Sequence, residues 1–266
     1  MRRPRRSSAK FVMYFDLLIA FAERGCPVCR LLEQSSRKTL DALLYEQVND
    51  PESRQTLVAS RGFCNWHTWM LSEMQGSRLG VALIGHHLLV EAVRAVGNRA
   101  APAERNWRHL FRQGTRQGAG GLSSWWRAGK RCPVCARLQR SERASLRVLL
   151  DYFDEEEFAG QFARSGGLCI PHLCRALEGA TEHRSVPALI AAHCARWTAL
   201  QAELDEFVRK HDYRFASEPM GAEGDSWSRT LEVLAGRPGL FATERSRRSP
   251  GTNDSPRDSG PEIAEE

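Results

Sequence analysis

The chain contains the same metal-ligand motif twice, about a hundred residues apart. In each copy a Cys-Pro-Val-Cys sequence is followed by a Cys-x-x-His sequence, with 34 residues between them in the first copy and 33 in the second. The predicted ligands are Cys26, Cys29, Cys64 and His67 in the first copy and Cys132, Cys135, Cys169 and His172 in the second. Three thiols and one imidazole form the ligand set of a closed tetrahedral zinc site. The repeated pattern predicts two metal sites per chain, one in each copy.

The chemistry of these sites follows from their ligand number and their expected location. Both motifs are expected at helix starts, where backbone N–H groups and the helix dipole favour the thiolate that a metal requires. Because the protein would fill all four tetrahedral positions, none is left for a substrate. The pattern therefore predicts structural zinc, two ions per chain, and gives no indication of catalytic activity.

Three other uses of the motifs stay open. An iron–sulfur centre is chemically acceptable with Cys₃His ligation, although all-cysteine sets are the usual choice. A thiol redox protein is suggested by the paired CxxC motifs, but that activity normally occurs in a βαβ setting and leaves both CxxH pairs unexplained. A metal-responsive sensor would use the same ligands with weaker, reversible binding.

The duplication extends to the helices that must position these ligands. Leu40, Leu43 and Leu44 recur 106 residues later as Leu146, Leu149 and Leu150. Both sets have helical spacing after the CPVC sequence, and no convincing alternating strand pattern is found. The predicted fold class is all-α, with two tandem pseudo-symmetric helical lobes, each built round a Cys₃His metal site.

Composition divides the chain into five predicted parts. These are a basic flexible leader (1–12), helical metal-binding repeat 1 (13–100), a linker (101–129), helical metal-binding repeat 2 (130–214) and a disordered tail (215–266). The tail is assigned by its content of Ser, Gly, Pro, Arg and Glu. Within it, Trp227, Leu231 and Leu234 have helical spacing, which predicts a short helix that could dock weakly on the body or a partner.

The N-terminal region has two interpretations. Basic residues followed by the apolar stretch 11–22 resemble a signal peptide, but Asp16 interrupts that stretch. The alternative is an amphipathic first helix whose apolar face is formed by Phe11, Phe15, Leu18, Ile19 and Ala22. Met1 and Met13 are both candidate starts. No apolar run approaches the roughly 20 residues of a membrane span, so we expect a cytoplasmic protein with reduced thiols.

The charge is mildly basic and constrains the partner only loosely. The net charge is +6 and the isoelectric point is about 9.0. An unidentified protein partner is expected, and nucleic acid is permitted but weakly supported. A row of four arginines on the second CPVC helix is expected to be a solvated face, with contact to an acidic partner as the alternative; it comprises Arg137, Arg140, Arg143 and Arg147.

Five further residues with reactive or bulky side chains lie outside the ligand set. His87 and His193 occupy equivalent positions and are expected to be core or interface histidines, with a pocket as the alternative. Cys174 and Cys194 have no counterpart in the first copy, and we expect buried free thiols. Trp66 lies between two ligands and is expected to pack over its metal site.

The repeated motif resembles an uncharacterised bacterial family of helical, cysteine-rich proteins. The resemblance covers roughly residues 13–210 and rests on a CPxC sequence paired with a later Gly-[Phe/Leu]-Cys-x-x-His, preceded by Phe15-Asp16-Leu17. It implies a bacterial, mostly cytoplasmic protein and brings no established activity.

Overall fold

The computed structural model describes residues 10–100, 124–178, 180, 182–215 and 217–241. The helices are α1 (Lys10–Phe21), α2 (Pro27–Tyr45), α3 (Pro51–Ser60), α4 (Asn65–Glu73), α5 (Arg78–Ala100), α6 (Pro133–Tyr152), α7 (Glu156–Arg164), α8 (Ile170–Glu178), α9 (Val186–Lys210) and α10 (Ser226–Ala235). Within these ranges no strand is found, and the predicted all-α class is confirmed. Among the helices described, none is both long and apolar enough to cross a membrane.

Local sequence explains where these helices begin and end. Proline occupies the first turn of α2, α3 and α6, where its fixed φ suits a helix start and its missing N–H is not needed. The Asp50 carboxylate caps α3 by accepting a 2.7 Å hydrogen bond from the Ser53 amide. The same helix ends where Arg61 and Gly62 both adopt positive φ, which turns the chain toward Cys64.

The two repeats interleave instead of folding side by side. The paired helices are α2 and α6, which carry the two CPVC sequences and pack against each other at the centre, with Leu40 and Leu149 fully buried. Helix α1 lies at the start of repeat 1 but packs against α6 and α7 of repeat 2 as well as α2. Its Phe21 ring makes edge contacts with Phe158 and Phe162, at centroid distances of 5.0 and 5.5 Å. The hydrophobic core is therefore continuous across both repeats.

Helix α1 is confirmed, but the predicted apolar face is wrong. Leu17, Ala20 and Phe21 are buried, whereas Phe15 and Ile19 are exposed. The spacing contained two overlapping apolar rows, and only the row through Leu17 and Phe21 contacts other helices. The stretch that resembles a signal peptide is a core helix in this structure. The Phe11 side chain and the basic leader up to residue 9 lie outside the described residues.

The prediction of a disordered tail from residue 215 is wrong over its described part, which is residue 215 and residues 217–241. Short 3₁₀ turns at Tyr213–Phe215 and Ala222–Asp225 lead into α10, which packs on α8 and α9. The fully buried residue of α10 is Ser226, while Trp227, Leu231 and Leu234 are exposed. The composition of the tail predicted disorder because α10 packs on the body through small and polar side chains and ion pairs, and not through its apolar row. Residues 242–266, and the linker residues 101–123, lie outside the described ranges.

The burial of α1 yields a stability prediction. We expect Leu17→Ala to lower the free energy of unfolding by about 3 kcal/mol, because it removes apolar contacts from a closed core. The matched control is Ile19→Ala on the same helix, where the side chain is 65% exposed and the change should stay below about 0.5 kcal/mol. Urea unfolding followed by circular dichroism measures both values. Equal effects would show that α1 is not part of the core.

Candidate metal centres

The eight predicted ligands come together in two groups, but each group draws from both repeats. Site 1 contains Cys26, Cys29, Cys169 and His172. Site 2 contains Cys64, His67, Cys132 and Cys135. The expectation that each copy forms its own site is therefore wrong, although the composition of each group, three cysteines and one histidine, is as predicted. The CPVC of one repeat meets the CxxH of the other because α2 and α6 pack side by side.

Each ligand pair lies on the first turn of a helix. Cys26, Cys64 and Cys132 are the N-cap residues of α2, α4 and α6, and Cys169 immediately precedes α8. The second ligand of every pair follows three residues later and points from the same turn. Four helix N-termini therefore converge in pairs, and their unpaired N–H groups favour negative charge on the sulfurs.

The distances between ligand atoms fit a tetrahedron round one ion. In site 1 the Sγ atoms of Cys29 and Cys169 are 3.7 Å apart, and the Nδ1 atom of His172 lies 3.2–3.4 Å from the three sulfurs. A zinc ion bonded to sulfur at about 2.3 Å and to nitrogen at about 2.0 Å would require sulfur–sulfur edges of about 3.8 Å and sulfur–nitrogen edges of about 3.5 Å.

Site 2 has the same geometry. The Sγ atoms of Cys64 and Cys135 are 3.5 Å apart. The Nδ1 atom of His67 lies 3.1 Å from Cys64, 3.4 Å from Cys135 and 3.6 Å from Cys132. In both groups every ligand atom is within 4.8 Å of the others, so either group could hold a metal ion.

One cysteine in each group is strongly biased toward the thiolate. Burial alone would raise the pKa of Cys26, but contacts with Cys169, Cys29 and His172 lower it well below its ordinary value. The neighbouring Cys135 and Cys64 thiols, together with His67, lower the pKa of Cys132 in spite of burial. Burial opposes the charge on His67, yet the facing Cys132 and Cys64 raise its pKa to about 9. In each group the thiolate and the imidazole therefore stabilise each other's charge in spite of burial.

The two equivalent histidines outside the ligand set lie in different environments. His193 is a buried core histidine, as expected: Nδ1–H donates to the Leu189 carbonyl at 2.7 Å, and Nε2 accepts from the Leu168 amide at 2.9 Å. Burial lowers its pKa, which keeps the ring neutral, and the second bond fixes the backbone immediately before Cys169. The equivalent His87 is half-buried.

The two cysteines outside the ligand set differ from the prediction, whereas Trp66 agrees with it. Cys174 and Cys194 are free but exposed, so the prediction that they are buried is wrong. They lie on the outward faces of α8 and α9, where no counterpart in repeat 1 indicated their environment. Trp66 stacks beside the imidazole of His67 at a centroid distance of 4.5 Å, as expected for a cover over site 2.

A segment that sequence reasoning missed closes the sites from outside. We call residues 236–241, which follow α10, the C-terminal strap. Its Gly236 has φ +70°, and a Cβ there would lie 3.0 Å from Cys29 Sγ and 3.2 Å from Cys169 Sγ. Its Phe241 ring meets the His172 ring edge-on at 5.0 Å, and Gly239 contacts Trp66. The strap passes from site 1 to the cover of site 2.

Comparison with known proteins identifies a family without assigning an activity. The sequence profile of a family of unknown function, DUF6062, matches residues 16–239, and the chain belongs to that family. An uncharacterized 23.9 kDa protein in the xynA 3′ region of Caldicellulosiruptor sp. (strain Rt8B.4) is 27% identical over 218 residues, which cover 81% of this chain and 97% of that protein. No solved structure matches the chain.

The shared arrangement predicts the metal content of two double variants. Cys29→Ser with Cys169→Ser damages site 1 alone, so the protein should retain about one metal ion per chain. Cys29→Ser with Cys64→Ser damages both sites, so the content should fall toward zero. Elemental analysis after refolding with added zinc measures both. If each repeat formed its own site, the two results would be reversed.

Proposed function

We propose that this protein is a zinc-stabilised helical scaffold that binds a protein partner, holds two zinc ions per chain and has no catalytic role for the metal. The observation that carries the proposal is the closed, four-ligand geometry of two groups that join the repeats. A metal ion with four protein ligands has no open position for substrate. It would act as a cross-link between distant parts of the chain.

The ligand set and its dimensions favour zinc over an iron–sulfur cluster. Cysteines of a cluster bind different iron atoms, so the cluster itself separates the sulfurs. Here the ligand atoms converge within 4.8 Å, which suits a single ion. Zinc accepts mixed sulfur and nitrogen donors in a tetrahedron without geometric preference of its own.

Burial argues against thiol–disulfide exchange. A redox cysteine has to be accessible to the disulfide that it attacks. The first cysteines of the CPVC sequences, Cys26 and Cys132, are only 5% and 7% exposed. Each is also enclosed by a thiol and an imidazole from the other repeat. All eight cysteines are unpaired, which supports a cytoplasmic, reducing compartment for the protein.

The exposed surface supports a protein partner more than nucleic acid. Apolar side chains are exposed on several helices, including Val12, Phe15 and Ile19 on α1 and Trp227, Leu231 and Leu234 on α10. Such rows, at spacings of one and two helical turns, are typical of helices that dock in protein grooves. The arginine row does not form a uniform basic surface, because Arg143 and Arg147 line one groove with Asp151, Glu178 and Glu182.

The zinc content and its effect on folding test the scaffold proposal. We expect about two zinc ions per chain and no visible absorption in protein purified anaerobically. Removing the metal with a strong chelator at neutral pH should abolish cooperative thermal unfolding, because metal binding and folding are coupled. Circular dichroism follows the loss, and added Zn²⁺ should restore it. Bound iron with a broad visible band, or unchanged melting after complete metal removal, would contradict the proposal.

A second measurement separates the two partner classes. At about 150 mM salt we expect no saturable binding to fluorescently labelled duplex or single-stranded oligonucleotides, because acidic side chains line the same groove as Arg143 and Arg147. Fluorescence anisotropy measures this. A nucleic-acid partner would be supported instead by saturable binding that weakens steeply with added salt. That binding should be lost when Arg137 and Arg140 are both changed to Ser.

A further inference from the structure

The two candidate sites have identical ligands but different partners for their histidines. Each imidazole faces the sulfurs with Nδ1, which leaves Nε2 to contact a neighbour. The Nε2 atom of His67 lies 3.2 Å from the hydroxyl oxygen of Ser36, and the Nε2 atom of His172 lies 3.0 Å from a carboxylate oxygen of Glu142. Ser36 and Glu142 are equivalent positions, 106 residues apart. The repeats therefore place a neutral acceptor at site 2 and a charged acceptor at site 1.

Both acceptors are fixed in place by their own contacts. Ser36 donates its hydroxyl hydrogen to the Leu32 carbonyl at 2.8 Å, which leaves its oxygen available to accept from His67. Glu142 is buried and forms an ion pair with Arg175, whose guanidinium lies over the Phe241 ring at 4.8 Å. The pairing with Arg175 compensates the cost of burying the carboxylate. Glu142 therefore belongs to a connected group that includes the C-terminal strap.

The ligands of site 1 are also more deeply buried than those of site 2. All four ligands of site 1 are buried, whereas Cys64 and Cys135 of site 2 are half-buried. The strap covers the sulfurs of site 1 directly through Gly236, and a 2.6 Å ion pair between Arg237 and Glu33 fastens it to α2. At site 2 the strap contacts Trp66 beside His67, and Leu240 and Phe241 line a small cavity together with Cys135. Water and chelators therefore have easier access to site 2.

We propose that Glu142 is a positioning residue for His172, and that site 1 retains its metal ion while site 2 exchanges it. This inference rests on the proposed function. The Glu142 carboxylate lies 3.0 Å from His172 Nε2 as a charged neighbour outside hydrogen-bond geometry. With a metal ion bound at Nδ1, it would favour the tautomer that carries hydrogen on Nε2 and strengthen the donation from Nδ1. Losing such a partner typically costs about 10–100-fold in affinity. When metal is scarce, site 2 empties first and frees α4 from α6, while site 1 still joins α2 to α8.

The test follows zinc release from the full-length protein with a chromogenic chelator in excess. Samples are quenched with iodoacetamide, and alkylated cysteines are identified by peptide mass spectrometry. We expect two phases. The fast phase should expose Cys64, Cys132 and Cys135, and the slow phase should expose Cys26, Cys29 and Cys169. Cys174 and Cys194 are already exposed and should react before either phase, which provides an internal control.

Two matched variants isolate the role of the outer acceptors. Glu142→Gln keeps the size of the side chain but removes its charge, and should accelerate the slow phase about 10–100-fold without changing the fast phase. Ser36→Ala at the equivalent position should accelerate only the fast phase. A purely structural effect of Glu142→Gln would lower the melting temperature and accelerate both phases together.

The strap offers an independent variant if Glu142→Gln does not fold. Gly236→Ala places a methyl group against the sulfurs of Cys29 and Cys169, and should accelerate the slow phase alone. Release in one phase, alkylation in the reverse order, or a slow phase unaffected by the folded variants would overturn the inference while leaving the scaffold proposal intact. Protein that contains no zinc at all would instead refute the scaffold proposal.

Discussion

The meeting of a CxxC from one repeat with a CxxH from the other is the constraint on which the rest of the structure depends. Cys29 and Cys169 are 140 residues apart in the chain, whereas a site within one repeat would join residues 29 and 64. Loop-closure entropy grows only logarithmically, by about 0.6 kcal/mol per doubling of length. The fourfold longer loop therefore costs only about 1.2 kcal/mol more. Burying apolar side chains between α2 and α6 exceeds that cost easily, since one buried leucine contributes about 1.5–3 kcal/mol.

The interleaving also explains why each CxxH helix is fixed by both central helices, α2 and α6. Helix α8 packs on α6 of its own repeat, where Glu142 meets both His172 and Arg175, yet its ligands face the cysteines of α2. Helix α4 likewise packs on α2, where Ser36 meets His67, while its ligands face the cysteines of α6. Each of these short helices therefore bridges the central pair. A helix of nine residues has little stability of its own, and these two contacts supply what local propensity cannot.

The ligand residues and the buried helix faces could be predicted from the sequence, because both depend on the spacing of residues that are close together in the chain. The CPVC and CxxH spacings identified the eight residues that converge, and the leucines after each CPVC identified the buried faces of α2 and α6. The pairing between motifs could not be predicted, because both copies offer the same ligand types and nothing in a CxxC specifies which CxxH it meets. That choice is made by helix packing between segments that are 65 or more residues apart in the chain. The face of α1 was misassigned for a related reason: Phe15 and Leu17 are both apolar, and only contacts with α6 and α7 decide which is buried.

The C-terminal strap shows why a duplicated fold need not have two equal sites. An internal duplication can supply two ligand sets, two central helices and two outer histidine acceptors, but one chain has a single segment that follows its second repeat. Whichever site that segment covers becomes different from the other. Here it passes over Cys29 and Cys169 and contacts the His172 ring edge-on, and the same site has Glu142 where the other has Ser36. The carboxylate, its arginine and the strap contact one another, so the asymmetry is one connected structure. A symmetric ligand pattern in the sequence is therefore compatible with two centres of unequal strength, and the difference is determined by residues outside the ligand motifs.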